Sequence, residues 1–299
     1  CIISGMGSED VKVKKKRAGK WRKQLGCVLF LTIVVIYMAP LMITFTNSFM
    51  SSKEVERNYS VNGITEKEYI DMDVIPEKAT LSQYAELLFD SPVYLNMFWN
   101  SVKITVPIVI GQILVSTLGA YAFTVLKFKG KELLFFLYII VMLLPLQVTL
   151  MPNYMVADWF NMTDSYLAII LPGIFNPFGV FLLRQFMKSM PDAYLEAAQI
   201  DGAGHGRIFL SIVVPMIRPG IAAAAMLTLL DYWNLVDQAV IFIQDAEKQP
   251  LSTFLAQINN GDIGMAFAGS CFYAVPMFLV LLYGQEHLKQ GIAITGIKG

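Results

Sequence analysis

The stretch from residue 184 to residue 218 carries the most informative residue types and spacing. Pro191 and Asp192 favour a helix start, and the pattern predicts a helix over residues 192–200 that the following glycines end. A second short helix is predicted over residues 207–214, ended by Pro215. Glu196 lies on the first helix beside two alanines, which permit close contact with another protein. These residues are typical of a docking surface for another protein. Two short helices joined by a glycine turn could act as a rigid lever that transmits force from such a partner.

Polar and aromatic residues also lie inside a long apolar stretch, residues 219–243. Asp231 comes twelve residues after Pro219, which is about 18 Å along a helix at about 1.5 Å per residue. If the stretch spans a membrane, a carboxylate at that depth faces a wet cavity or pairs with another helix, and both interpretations stay open. Tyr232 and Trp233 beside it suit either a solute path or an outer-interface anchor. Other polar residues with two such interpretations, pore or helix–helix hydrogen bond, are Asn96, Asn100, Gln112, Gln147, Asn153 and Asn176.

The sequence lacks the patterns of catalytic and metal chemistry. It has no GxxxxGK[ST] stretch and therefore no phosphate-binding P-loop. His205 and His287 form no Ser/His/Asp constellation, and both are expected at the surface. Cys1, Cys27 and Cys271 lie far apart, which excludes a structural zinc site and disfavours a disulfide scaffold. No catalytic residue, metal site or cofactor is predicted in this chain, so the energy for any active process must come from another polypeptide.

The amino-acid composition indicates the kind of fold that must position these residues. Of 299 residues, 56% are hydrophobic and 15% charged, whereas soluble domains have about 45–50% apolar and about 25% charged residues. The formal net charge is zero, which gives a nucleic-acid partner no electrostatic support. The composition predicts a protein that crosses a membrane several times.

Six apolar segments predict an all-α integral membrane fold with six transmembrane helices. A helix needs about 20 apolar residues to cross a bilayer. The segments are residues 25–50, 102–125, 133–151, 167–183, 219–243 and 264–284. The first segment is too long for a signal peptide and lacks a small-residue cleavage site, so it is expected to be retained as transmembrane helix 1.

Basic residues predict the orientation. Seventeen Lys and Arg residues lie on the side of the N-terminus and five on the opposite side, which places both termini in the cytoplasm by the positive-inside rule. Residues 1–24 then form a basic cytoplasmic tail, residues 51–95 an extracytoplasmic loop and residues 289–299 a cytoplasmic C-terminal tail. Within the loop, residues 81–89 predict a short amphipathic helix along the outer membrane face.

The stretch from residue 184 to residue 218 resembles the EAA loop of ABC importer membrane subunits. That family pattern reads EAA, three residues, Gly, nine residues, then Ile-x-Leu-Pro. The matching positions here are Glu196, Ala197, Ala198, Gly202, Ile212, Val214 and Pro215, with valine in place of leucine at 214. PLQVTLMPNY at 145–154, Asp201 with the following Gly-Ala, and GIAITGIKG at 291–299 are similar to the carbohydrate branch, the MalG-like permease subunits of maltose importers.

This resemblance implies a type I ABC importer transmembrane fold, with a permease domain over residues 96–288. It implies that residues 190–215, the EAA loop, are a coupling helix seated in a cleft of an ATP-binding subunit. Glu196 would be the polar anchor, Ala197 and Ala198 would allow close approach, and Gly202 would supply the turn. Asp201, Ile212, Val214 and Pro215 belong to the same coupling element.

The resemblance also implies partners and a location. The partners are a second homologous permease subunit, an ATP-binding subunit dimer that holds ATP and Mg, an extracytoplasmic solute-binding protein and membrane lipid. The location is a bacterial plasma (inner) membrane, crossed several times.

The first functional hypothesis is half of a translocation pathway for a carbohydrate, in particular an oligosaccharide. The candidate path residues are Asp231, Tyr232, Trp233, Asn234, Gln147 and Asn153. One alternative is an EAA-type permease for a non-sugar solute such as glycerol phosphate or a polyamine. Another is an ion-coupled secondary transporter, for which inverted repeats and ionisable pairs at the midplane are expected. A membrane scaffold or sensor is the remaining alternative.

Overall fold

The computed structural model describes residues 6–59, 75–90, 92–257 and 263–296, and within these ranges the side chains of residues 23–285. The described side chains therefore do not include those of the predicted basic tail up to residue 22, with Cys1, or those of His287 and the C-terminal tail. All regular structure in the described ranges is helical. The helices are α1 Met6–Asn47, α2 Ser52–Tyr59, α3 Ser82–Ala85, α4 Pro92–Thr124, α5 Lys131–Met142, α6 Leu146–Trp159, α7 Leu167–Ile174, α8 Pro177–Lys188, α9 Asp192–Ile200, α10 His205–Ile208, α11 Val214–Met216, α12 Arg218–Trp233, α13 Asp237–Phe242, α14 Leu251–Ala256 and α15 Ile263–Gly296. π-Helical turns occupy Glu86–Asp90 and Phe209–Val213, and a 3₁₀ turn occupies Ala246–Lys248.

The chain divides into two compact units, of which the first holds residues 1–84 and 263–271. Its main element is α1, whose apolar part Lys23–Asn47 is 25 residues long and exposed up to residue 42. A helix of that length exceeds the thickness of the hydrocarbon core, so its apolar surface suits contact with lipid. After α1 the chain turns into α2, where the Glu54 carboxylate accepts a 2.7 Å hydrogen bond from the backbone N–H of Glu77.

The second unit holds residues 85–262 and 272–299 and is organised around α4. Helices α7, α8 and α12 pack along α4. Close approach is possible because small residues lie at the contact: a Cβ at Gly111 would be 2.6 Å from the Ile174 side chain. This use of small residues is typical of helix packing in membranes, where close contact takes the place of the hydrophobic driving force.

The predicted apolar segments are all helical, but not all are single straight helices. Four helices are long and apolar enough to cross a membrane: Lys23–Asn47, Pro92–Thr124, Leu167–Lys188 and Ile263–Gln285. Two further pairs meet the same test as bent units, α5 with α6 at 101° and residues 205–216 with α12 at 73°. The described residues therefore contain four candidate spans, or six if each bent pair is one span.

Helix breaks fall inside three of the predicted segments. The third, 133–151, breaks before α6, where Pro145 takes an extended conformation that lacks a helical hydrogen bond. The fourth breaks between α7 and α8, where the Asn176 side chain caps α8 by accepting from the Phe178 N–H at 3.0 Å. The fifth, 219–243, was predicted as one helix but ends at Trp233 and resumes at Asp237. The helix predicted at 81–89 is present as α3 followed by a π-helical turn.

Candidate functional site

The EAA loop folds into two short helical arms joined by a defined turn. The first arm, α9, has the predicted bounds Asp192–Ile200. The chain turns two residues after this helix, at Gly202, whose φ of +74° is a left-handed conformation that favours glycine. The Gly202 N–H donates to the Gln199 carbonyl and the Ala203 N–H to the Ala198 carbonyl, each at 3.0 Å. These two bonds form a Schellman motif, which fixes the direction of the chain after the helix.

The second arm is longer than the sequence predicted. It begins at His205, passes through the π-helical turn and ends at Met216, so the prediction that Pro215 ends the helix is wrong. Pro215 lies near the C-terminal end of this arm, directly after the π-helical turn. The bend comes after Ile217 instead, where α12 begins.

The two faces of α9 have different surroundings. Glu196 and Ala197 are exposed, and so is Ile200, with 85% of its surface accessible. Ala198 is only 7% exposed and belongs to a core cluster with Ile208 and other residues of the second arm. Ala198 therefore allows the two arms to approach each other closely, whereas Ala197 is accessible from outside the chain.

The EAA loop is joined to the helical bundle by packing and by hydrogen bonds. Its cluster continues into Tyr121 of α4 and Leu183 of α8, and Ile212 packs against it. The Tyr121 hydroxyl and His205 Nδ1 are 3.0 Å apart. His205 is exposed, as expected. The loop is therefore packed against both α4 and α8.

Arg184, which the sequence analysis did not single out, fixes the end of α8 near this cluster. It is 3% exposed, and its guanidinium donates to both carboxylate oxygens of Glu132 at 2.9 and 3.0 Å. It also donates to the Phe123 carbonyl at 3.1 Å and lies 3.6 Å from the centre of the Phe135 ring. A buried cation needs such partners to compensate its lost hydration. An isolated arginine at the end of an apolar segment was the only signal in the sequence.

A cavity of about 570 Å³ brings together four of the six predicted path residues. Asn153, Asp231, Tyr232 and Asn234 line it. Gln147 is not among the lining residues and is exposed on α6. Trp233 also faces elsewhere: it is buried, its Nε1–H donates to the Tyr273 carbonyl at 3.2 Å, and its ring stacks on the Tyr273 ring.

All three helix breaks meet at this cavity. Its lining includes residues on both sides of the α5–α6 bend, the α7–α8 break and the α12–α13 break. At membrane depth, irregular backbone is tolerated where it is buried in protein or lines a water-filled cavity. The breaks thus place three irregular backbone segments and the Asp231 carboxylate around one space.

A smaller cavity of about 290 Å³ shares Asn176, Asp231 and Tyr232 with the first. It is also lined by Gln112, whose Oε1 is buried without a hydrogen-bond partner among the described residues. The other predicted polar candidates differ. Asn100 donates to the Glu247 carbonyl at 2.7 Å, a structural bond, and Asn96 is exposed.

A charged cluster ties together two loops of the second unit. The Asp164 carboxylate accepts from the Asp245 N–H at 3.0 Å, the Gln244 N–H at 3.1 Å and the Lys248 ammonium at 2.9 Å. The Asp245 N–H first, and then Lys248, lower the pKa of Asp164 below its ordinary value. Within the described ranges, no three His, Cys, Asp or Glu residues lie close enough to hold a metal ion.

Comparisons with known proteins agree with this architecture. The family profile described as "Binding-protein-dependent transport system inner membrane component" matches residues 112–292. The arabinooligosaccharides transport system permease protein AraQ of Halalkalibacterium halodurans is 30% identical, over 93% of this chain and 96% of that protein. The sn-glycerol-3-phosphate transport system permease protein UgpE of Yersinia enterocolitica is 37% identical, over 55% of this chain and 57% of that protein.

A solved structure has the same fold. It is that of a bacterial ABC transporter involved in the import of the acidic polysaccharide alginate, with a TM-score of 0.76 and 19% identity, covering 90% of this chain and 97% of that chain. The fold and the sequence together define a membrane permease of the ABC importer type. The chain belongs to the family of inner membrane components of binding-protein-dependent transport systems.

Proposed function

We propose that this chain is one of two permease subunits of an ATP-driven importer in a bacterial plasma membrane, with both termini in the cytoplasm. Its partners are a second homologous permease subunit, a dimer of ATP-binding subunits and an extracytoplasmic solute-binding protein. ATP and Mg are held by the ATP-binding subunits. This chain supplies part of the path for the solute and a surface on which those subunits act.

The observation that carries the proposal is the two-sided EAA loop. One side of α9 exposes Glu196, Ala197 and Ile200, a charge between apolar and small groups. The other side is locked through Ala198 and Ile208 into a cluster that reaches α4 and α8. A partner that displaces the exposed side therefore moves the bundle with it, which is the mechanical requirement for coupling.

For the solute we propose a carbohydrate, in particular an oligosaccharide. AraQ, a relative that covers nearly the whole chain, is a permease for arabinooligosaccharides by its name. The cavity lined by Asn153, Asn176, Asp231 and Tyr232 supports this proposal, because amides and carboxylates bind hydroxyl groups. The alternative with an observation in its favour is glycerol phosphate, since UgpE is similar over about half of this chain.

Glu196→Ala tests the coupling proposal. A charged interface residue that is desolvated and hydrogen-bonded costs about 2–5 kcal/mol when truncated. We therefore expect the variant chain to copurify with the ATP-binding subunits at least about 30-fold more weakly and to lose uptake. Capture of the solute by the external binding protein is expected to be unchanged.

Asp158→Ala is the matched control, because Asp158 is another exposed carboxylate but lies on α6, outside the EAA loop. It is expected to retain uptake. Normal uptake and normal association in the Glu196 variant would contradict the coupling role. Uptake that survives inactivation of the ATP-binding subunit but stops when the proton gradient is collapsed would indicate a secondary transporter instead.

A further inference from the structure

The larger cavity has a one-sided charge distribution. Its charged lining residues are Asp231 and Asp237, and none of its lining residues is Lys, Arg or His. No ion pair joins either carboxylate to a cation in the described part of the chain. Both carboxylates are exposed in this chain and line the same cavity, so their repulsion of an anion in that space adds.

The backbone does not offset this negative charge. A helix N-terminus carries a partial positive charge and a C-terminus a partial negative one. Each of the three breaks presents a helix C-terminus and a helix N-terminus, because one helix ends there and the next begins. The helix pairs are α5 and α6, α7 and α8, and α12 and α13. The partial charges of the helix ends therefore oppose one another, and the two carboxylates set the sign of the field.

The uncharged polar groups are suited to hydroxyls. The amides of Asn153, Asn176, Asn234 and Gln238 line the larger cavity. The Asn176 amide already accepts from the Phe178 N–H and donates to the Tyr232 hydroxyl, and the Asn234 amide donates to the Leu230 carbonyl, so each of these two keeps one N–H for a solute. In the smaller cavity, Gln112 is 2% exposed and its Oε1 has no hydrogen-bond partner among the described residues. A hydroxyl can both donate and accept, whereas an ammonium only donates and would leave the amide N–H groups without acceptors.

We propose that these two connected groups of lining residues form a site for an uncharged polyhydroxylated solute and that Asp231 excludes anions from it. The volume of about 570 Å³ lies within the range of about 300–1,000 Å³ that small-ligand sites occupy. Asp231 is the central residue because, of the two carboxylates, it is the one that lines both cavities. This inference rests on the proposed transport function and narrows its solute class: a glycerol phosphate or another anion is rejected at this chain.

A cysteine reporter measures the field directly. The full chain, purified with the subunits that accompany it, would carry Asn153→Cys in a background with Cys1, Cys27 and Cys271 changed to serine. The reporter is labelled with a cationic and with an anionic methanethiosulfonate of similar size, and the ratio of the two rates is recorded. We expect Asp231→Asn to lower the cationic-to-anionic ratio about tenfold, since Asp231 and the reporter position line the same cavity and a cleft focuses the field of the charges that line it.

Two variants make the result specific. Asp231→Glu keeps the charge and is expected to keep the ratio. Asp158→Asn removes a carboxylate from the same helix as the reporter but outside the cavity lining, and it is also expected to leave the ratio unchanged. A ratio that Asp231→Asn does not change, or that Asp158→Asn lowers equally, would overturn the role of Asp231.

Protection of the reporter tests the solute class. Arabinotriose and maltotriose serve as uncharged probes, glycerol 3-phosphate as the anion and spermidine as the cation. We expect one or both trisaccharides to slow labelling by an uncharged methanethiosulfonate at least threefold, and the two charged probes to have no effect. Protection by glycerol 3-phosphate or spermidine, or by none of the probes, would refute the proposed class. Because labelling requires no uptake, this result is independent of the Glu196 experiment on the coupling role.

Discussion

Replacing Gly202 by alanine isolates the contribution of one backbone conformation to the EAA loop. Gly202 has a φ of +74°, and a Cβ built there has no atom within 4 Å. The substitution therefore adds no steric clash with neighbours, and its cost is conformational only. A left-handed conformation costs an L-residue about 1–2 kcal/mol. Because the Schellman bonds to the Gln199 and Ala198 carbonyls depend on this conformation, the cost falls on the end of α9.

Amide hydrogen exchange of α9 in the purified protein measures this cost. A loss of about 1–2 kcal/mol raises the population of the locally open state about 5- to 30-fold. The amides of residues 199–203 are expected to exchange faster by that factor in Gly202→Ala. Gly202→Asn is expected to have a smaller effect, since asparagine tolerates the left-handed region.

Gly204 is the matched control, two residues further on in the same turn. Its φ is −71° and its ψ 161°, and a Cβ there also has no atom within 4 Å. Gly204→Ala is expected to be nearly neutral, because a gain of about 0.4–1 kcal/mol through the unfolded chain is offset by the loss of glycine at the N-cap of α10, where alanine is disfavoured. Equal exchange rates in the Gly202 and Gly204 variants would refute the argument that the left-handed turn holds the two arms.

Two further predictions concern packing and charge. Ala198→Leu is expected to overpack the cluster between the two arms and destabilise it by about 1–3 kcal/mol. Ala197→Leu, at an exposed position, should leave thermal stability unchanged and weaken association with the ATP-binding subunits. Equal melting temperatures for the two variants would contradict the assignment of Ala198 to the buried face and Ala197 to the exposed face. The stabilisation from Asp164 is complete above the ordinary carboxyl pKa near 3.8 and is lost as the pH falls through the lowered pKa of the folded protein. In the native chain, the hydrogen-exchange protection of amides 244–248, corrected for intrinsic exchange, is therefore expected to fall in acid. In Asp164→Asn, this protection should be lower at neutral pH and nearly independent of pH. An acid profile of the variant like that of the native chain would refute the role of the carboxylate.

The sequence by itself determined the features that depend on local chemistry. The apolar segments, the bounds of α9 and the turn at Gly202 follow from hydrophobic length, the start signal at Pro191 and the ending glycine. The family followed from the same local pattern, because the spacing of the EAA loop is a property of consecutive residues. Asp231 was found for the same reason: a carboxylate in an apolar segment is visible without knowledge of its neighbours.

Only the tertiary structure decided which way each side chain faces. Ala197 and Ala198 are chemically identical, yet one is exposed and the other belongs to the buried cluster that includes Ile208 of the second arm. Tyr232 and Trp233 are adjacent aromatic residues, but only Tyr232 lines the cavity, because the rotation of α12 about its axis is set by its packing on α4. The meeting of three helix breaks at one cavity depends on contacts between residues some 90 positions apart in the chain, and no local pattern in the sequence records those contacts.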